Sequence, residues 1–169
     1  MANTYVKIGS TVTVGVLGAA DITFSSIPAT YTDLVVKISG RTNKASVFDD
    51  IAISFNGSTT SFTGRELYGD GAAAASITTS RAASIATGST ATASTFGNSE
   101  IYIPNYAGSA NKSFSVDGVQ ETNATTAYAI MIAGLWSNTA AITSVALTPL
   151  VGTLFSQYST ASLYGILKS

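Results

Sequence analysis

The sequence predicts an all-β fold of the sandwich or barrel type, and three observations carry that prediction. Apolar and polar residues alternate at period two along most of the chain, which sends successive side chains to opposite faces of a strand. No long stretch has the spacing of an amphipathic helix. About nine to eleven short strand candidates follow one another at near-regular intervals, with turn residues between them.

Tyr5-Val6-Lys7-Ile8 and Val12-Thr13-Val14 read as an opening hairpin around Gly9-Ser10. Asp21-Ile22-Thr23-Phe24-Ser25 alternates cleanly until Pro28 stops it. Leu34-Val35-Val36-Lys37-Ile38-Ser39 follows, and Ile51-Ala52-Ile53-Ser54-Phe55 ends at the turn dipeptide Asn56-Gly57. Glu100-Ile101-Tyr102-Ile103 runs into Pro104, and Ser113-Phe114-Ser115-Val116-Asp117 comes next. Residues 127–136 (AYAIMIAGLW) are apolar throughout and predict a central strand buried on both faces. Ile142-Thr143-Ser144-Val145-Ala146-Leu147 and Ser162-Leu163-Tyr164-Gly165-Ile166 close the series.

The interval 71–95 differs, being rich in Ala, Ser and Thr and poor in large apolar residues. It predicts a long loop with one weak strand at about 82–86, or else a short Ala-rich helix near 72–75. Long loops of this kind often carry binding surfaces. No internal repeat or linker divides the chain, so 1–169 reads as a single domain.

Composition narrows the function. The chain has no histidine and no cysteine, with 8 Lys+Arg and 9 Asp+Glu in 169 residues. Charged residues make up 10% of it, against roughly 25% in a typical soluble domain. The usual general base and the usual thiol nucleophile are therefore missing, and a Ser-His-Asp triad is excluded. The net charge is −1 and the basic residues are scattered, which argues against nucleic acid as a partner. No apolar run approaches the roughly 20 residues that a spanning helix requires, so no membrane partner is expected. Residues 12–20 (VTVGVLGAA) end like a signal-peptide core, but Thr and Gly interrupt them and only Lys7 adds positive charge ahead of them. They read better as a strand ending in a turn.

The remaining constellations are weak. Asp49-Asp50 is the one adjacent carboxylate pair and lacks the spacing of a calcium loop, so it reads as a polar approach to the Ile51 strand. Glu66, Asp70, Asp117 and Glu121 supply carboxyls for a glycosidase pair, but sequence alone does not bring any two together. Residues 64–71 (GRELYGDG) are glycine-rich without the ending of a phosphate-binding loop. Tyr102, Tyr106 and Trp136 are the candidate contacts for a partner or a glycan, set against the ordinary fate of such rings in a core. No cofactor is implied.

Strand edges carry more information. A many-stranded sandwich leaves edges that monomers guard with Lys, Pro and charge, and this chain has little of these. A homo-oligomer that covers its own edges is expected.

Several segments resemble a known group of proteins. They are Ile22-Thr23-Phe24-Ser25-Ser26-Ile27-Pro28-Ala29-Thr30-Tyr31-Thr32-Asp33-Leu34, Ser54-Phe55-Asn56-Gly57-Ser58 and Glu100-Ile101-Tyr102-Ile103-Pro104-Asn105-Tyr106. Further along come Leu135-Trp136-Ser137-Asn138-Thr139-Ala140-Ala141-Ile142-Thr143-Ser144, and then Phe155-Ser156-Gln157-Tyr158-Ser159-Thr160-Ala161-Ser162-Leu163-Tyr164-Gly165-Ile166. In this order they resemble small virion-associated proteins of tailed phages, many of them marine. The closing Ser-Leu-Tyr-Gly-Ile is similar to that of capsid decoration proteins and of tail-fibre modules. The resemblance implies a structural role on the virion surface, after assembly in the host cytoplasm, and it brings no catalytic residues.

Together these readings give an antiparallel β-sandwich of jelly-roll type, trimeric and non-enzymatic. The expected role is capsid decoration, with the major capsid protein or other virion proteins as partners. The alternative is a tail-fibre module that recognises host glycan. Decoration is preferred because no fibrous shaft or tail-attachment segment is evident. The opening hairpin and the 71–95 loop are the expected contacts to the shell or a sister subunit.

Overall fold

The computed structural model describes residues 4–124 and 126–167, and these form an all-β sandwich with no helix. The strands are β1 (Tyr5–Thr13), β2 (Ile22–Phe24), β3 (Asp33–Gly40), β4 (Phe48–Phe55), β5 (Phe62–Gly69) and β6 (Ala74–Thr79). They continue with β7 (Ala82–Thr87), β8 (Gly97–Ile103), β9 (Lys112–Gln120), β10 (Tyr128–Trp136), β11 (Val145–Pro149) and β12 (Thr160–Ile166).

One sheet has eight strands in the order β1-β12-β3-β8-β9-β10-β5-β6, and the other has four in the order β2-β11-β4-β7. Neighbouring strands within each sheet are antiparallel. The chain changes sheet at every connection except the β5–β6 hairpin and the β8–β9–β10 meander. With β5, β6, β9 and β10 set aside, β1-β12-β3-β8 faces β2-β11-β4-β7, four strands against four. The other four strands widen the larger sheet at one side. At the usual interstrand spacing the two sheets are about 34 Å and about 14 Å wide.

Alternation decides what the sandwich buries. On β9 burial alternates strictly from Lys112 to Gln120, with Phe114 and Val116 directed inward. Leu34 and Val36 of the large sheet and Ile51, Ile53 and Leu147 of the small one are fully buried in a single core cluster. The strand over residues 127–136 is central, with β9 on one side and β5 on the other. It is buried on one face only. Ile130, Ile132 and Trp136 point inward, while Met131 lies on the open face.

The opening segment is not a hairpin. β1 is one long strand paired with β12 from Tyr5 to Thr13, with a bulge between Ile8 and Val12. Gly9 there adopts a φ of +70°, so the expected turn residue serves the bulge instead.

Nor is 71–95 a long loop or an Ala-rich helix. It contains β6, which the sequence gives no sign of, and β7, which covers the expected weak strand. β7 is buried along its whole length. Its small residues have a physical reason: a Cβ on Gly97 of β8 would lie 2.5 Å from the carbonyl oxygen of Ile85 on β7. The two backbones approach too closely for large side chains between them.

The segment after β7 is tied down by one side chain. The Arg41 guanidinium donates to the carbonyls of Thr92 at 2.8 Å, Ala91 at 3.1 Å and Thr95 at 3.1 Å, and more loosely to Ser89 at 3.3 Å. Arg41→Lys keeps the charge but loses the planar fork that reaches several carbonyls at once. It is expected to cost about 1–2 kcal/mol, with faster amide exchange confined to residues 88–95. Unchanged protection there would count against the clamp.

Candidate functional site

Eight strands over four leave β5 and β6 projecting beyond β4 and β7. A cleft of about 190 Å³ opens beneath that overhang, lined by Phe48, Asp50, Glu66, Tyr68, Asp70, Ile77, Ile85 and Tyr128. The β5 alternation places Phe62, Gly64, Glu66 and Tyr68 on the inward side, so Glu66 occupies a position normally given to hydrocarbon. It pairs in register with Ile132 on β10 and Ile77 on β6.

Glu66 is 6% exposed. The two ion pairs among the described residues are Lys37 with Glu100 and Lys44 with Asp49, and neither includes it. No hydrogen bond from the described residues reaches its carboxyl. Burial first, and then the negative charge of Asp50, push this carboxyl up to about 7.

The neighbouring acids differ for identifiable reasons. Asp50 is raised by burial, an effect that Lys44 partly offsets and the charge of Asp49 adds to. Asp70 is held below the usual carboxylate range because it accepts from the backbone N–H of Ala73 at 2.8 Å and of Ala72 at 2.9 Å. Tyr128 is raised by burial and by the charges of Asp70 and Asp50 beside it. Its ring centroid lies 4.5 Å from that of Phe48 and 6.2 Å from that of Tyr68, which gives the cleft a continuous aromatic wall. The result is a negatively biased cleft with one carboxyl that changes charge near neutrality.

Two of the four candidate acids, Glu66 and Asp70, thus come together, with Asp50 as the third. Asp117 lies on the outer face of the large sheet opposite Met131 and Glu100, and Glu121 follows β9; neither lines the cleft. Asp49 belongs to β4, not to a loop leading into it. It is fully buried and accepts from Thr42 Oγ1 at 3.0 Å and from the backbone N–H of Gly152 at 2.9 Å.

The three candidate aromatics do not form a platform. Trp136 is 1% exposed and packs against Phe55 and Phe62, while Tyr106 is fully buried with its hydroxyl donating to the carbonyl of Pro28. Neither ring offers a face to a sugar. Tyr102 is half-buried on the outer face, and its hydroxyl donates to Asp33 Oδ2 at 2.8 Å.

That outer face holds a second feature. Leu67, Met131 and Val119 are 53%, 64% and 44% exposed. Leu67 and Met131 are register partners, and Val119 is paired with Ala129, two residues from Met131 on the same face of β10. They form an apolar patch beside the edge strand β6, whose six residues (AASITT) include no charge and no proline.

No protein-family model matches this chain, and neither a curated protein nor a solved structure matches it.

Proposed function

We propose that this chain is a non-enzymatic structural protein of a tailed-phage virion, a decoration protein that coats the assembled head as a homotrimer. The observation that carries the reading is the apolar patch of Leu67, Met131 and Val119 beside an unguarded β6 edge. Monomers rarely leave such an edge and such a patch together in water. A sister subunit covers them. The strand order of β1-β12-β3-β8 against β2-β11-β4-β7 supports a jelly roll widened by two inserted hairpin strands on either side of β7 and β8. The resemblance of the Ser162-Leu163-Tyr164-Gly165-Ile166 segment, which forms most of β12, points the same way.

The tip between β1 and β2 supplies a contact to the shell, because Val16 and Leu17 stand there largely exposed. Cementing then works by mass action: a ligand that binds the assembled shell but not its separated parts stabilises the shell. With few ions on the surface, salt has little to screen, so attachment is expected to vary little with ionic strength. The tail-fibre alternative drew on aromatic rings as a glycan platform, and two of its three rings lie in the core.

Sedimentation velocity tests the assembly. A trimer is expected at micromolar concentration, and Met131→Glu is expected to yield folded monomer by placing a new charge in the covered patch near Asp117. A monomeric parent protein would count against the trimer. Labelling on intact particles tests the location, and label on tails with bare heads would contradict decoration.

A further inference from the structure

The cleft beneath the β5–β6 overhang is unexplained by a coating role, and the unpartnered carboxyl of Glu66 makes it chemically specific. An inward strand position taken by a carboxyl costs stability unless something pairs with it. Glu66 is 94% buried, lines the cleft, and has no donor among the described residues. A ligand that supplies a donor relieves that cost.

Which ligand fits follows from the lining. Asp50, Glu66 and Asp70 are the charged groups in it, all acidic, so an anion is repelled. Lys44, a cation outside the lining that acts on Asp50, reaches Asp49 at 3.8 Å and rests 4.6 Å over the Phe48 ring. The chain thus already places one ammonium on an aromatic ring at the border of the cleft. Phe48, Tyr68 and Tyr128 are suited to flank a cationic stem, since ammonium groups are attracted to ring faces. A metal ion is less well matched, because no three acidic side chains among the described residues are grouped to hold one. Ile77 and Ile85 add an apolar floor for methylene groups.

We propose that this cleft binds an alkylammonium group, with Glu66 as the pairing carboxylate, Asp50 and Asp70 as supporting charge, and the aromatic wall around the stem. Such a group comes from a lysine side chain of a neighbouring protein or from a free polyamine. The assignment stands whether or not the chain coats a phage head.

Proton linkage gives it a distinctive signature. The groups facing Glu66 are Asp50 from β4, Tyr68 and Asp70 from β5 and its end, and Tyr128 from β10, with Lys44 behind Asp50. A cation binds the ionised carboxylate, and Glu66 releases its proton near pH 7. Affinity is therefore expected to rise about tenfold per unit as pH increases towards 7 and to level off above it. Binding below 7 releases a proton, so the calorimetric heat depends on the ionisation heat of the buffer.

The test uses n-butylammonium, with 1-butanol as its neutral counterpart, followed by the aromatic resonances of Tyr68 and Tyr128. Shifts that saturate with a dissociation constant on the order of 1 mM, that follow this pH dependence and that 1-butanol does not produce are expected. Glu66→Gln, which keeps the shape and removes the charge, is expected to weaken binding at least about tenfold at pH 8 and to flatten its pH profile. Asp117→Asn, which removes a carboxylate on the outer face of the large sheet away from the cleft, is expected to bind as the parent does. Tighter binding of a lysine-containing tripeptide than of spermidine assigns the site to a partner's side chain, and the reverse order assigns it to polyamines. Absence of ring shifts with any of the amines, equal shifts with 1-butanol, or undiminished binding by Glu66→Gln would overturn the proposal.

Discussion

Trp136→Ala is expected to lower the unfolding free energy by about 3–5 kcal/mol, the usual cost of emptying a large aromatic site in a core. The ring is 1% exposed. It stacks on Phe62 at 6.0 Å between centroids and meets Phe55 edge-on at 5.6 Å, and Phe55 in turn meets Phe114 at 5.9 Å. This cluster joins β4 of the small sheet to β5, β9 and β10 of the large one. Removing the indole therefore leaves a hole where the two sheets are held together at that end. The indole Nε1 has no hydrogen-bond partner among the described residues, so what is lost is packing and not a polar contact. Trp136→Phe, which keeps a ring at that point, is expected to cost less than half as much. Urea unfolding measures both, and an unchanged midpoint in Trp136→Ala would mean that the ring does not bridge the sheets. Any loss of partner binding by that variant would follow from unfolding, since the ring has no surface to offer.

Glu66→Gln is expected to act in the opposite direction and only at the higher pH. The folded carboxyl titrates near 7, above its ordinary value of 4.5, because burial disfavours its charged form. Below about pH 4 both folded and unfolded chains hold the proton, and the group contributes nothing to pH dependence. Between about pH 4.5 and 7 the unfolded chain releases the proton more readily than the folded one, so the parent loses stability as pH rises. Above 7 both are ionised and the penalty is complete. The carboxyl borders water in the cleft, which limits the penalty to about 1–3 kcal/mol. Glutamine carries no such charge, so the variant should gain stability over the parent by that amount at pH 8 and show little gain at pH 4. Calorimetric unfolding at the two pH values checks it. An equal effect of the substitution at both would show that Glu66 titrates normally.

Much of the architecture was legible because alternation survives in the sequence wherever a strand has one wet and one dry face. β8 and β9 are of this kind. Where the reading failed, the deciding fact was tertiary. The alanines and serines of β7 resemble a loop because their large neighbours are absent, yet they are small because the backbone of β8 at Gly97 lies against them. Residues 127–136 are equally apolar whether a second layer or a partner subunit covers the outer face, so burial on both faces did not follow. Gly9 signals a reversal or a bulge alike, and only the pairing of β1 with β12 on both sides of it distinguishes the two.

The candidate site divides in the same way. Trp136 shares parity with Ile130 and Ile132 within one strand, so its burial was readable from position alone. Tyr106 lies beyond β8 in a turn, where no periodicity orients it. Glu66 shares parity with Phe62 and Tyr68, and that is a readable sign of an inward carboxyl. That Asp50, from a strand of the other sheet, would stand beside it depends on how far the wide sheet overhangs the narrow one.

If the protein coats the head as proposed, it holds the assembled shell together from outside. Phage particles lacking it, and the same particles after addition of the purified chain, can be heated while genome release is followed by a DNA-binding dye. Decorated particles are expected to release DNA at a distinctly higher temperature, with a gain that changes little between low and high salt. Release at the same temperature with and without the bound protein would contradict it.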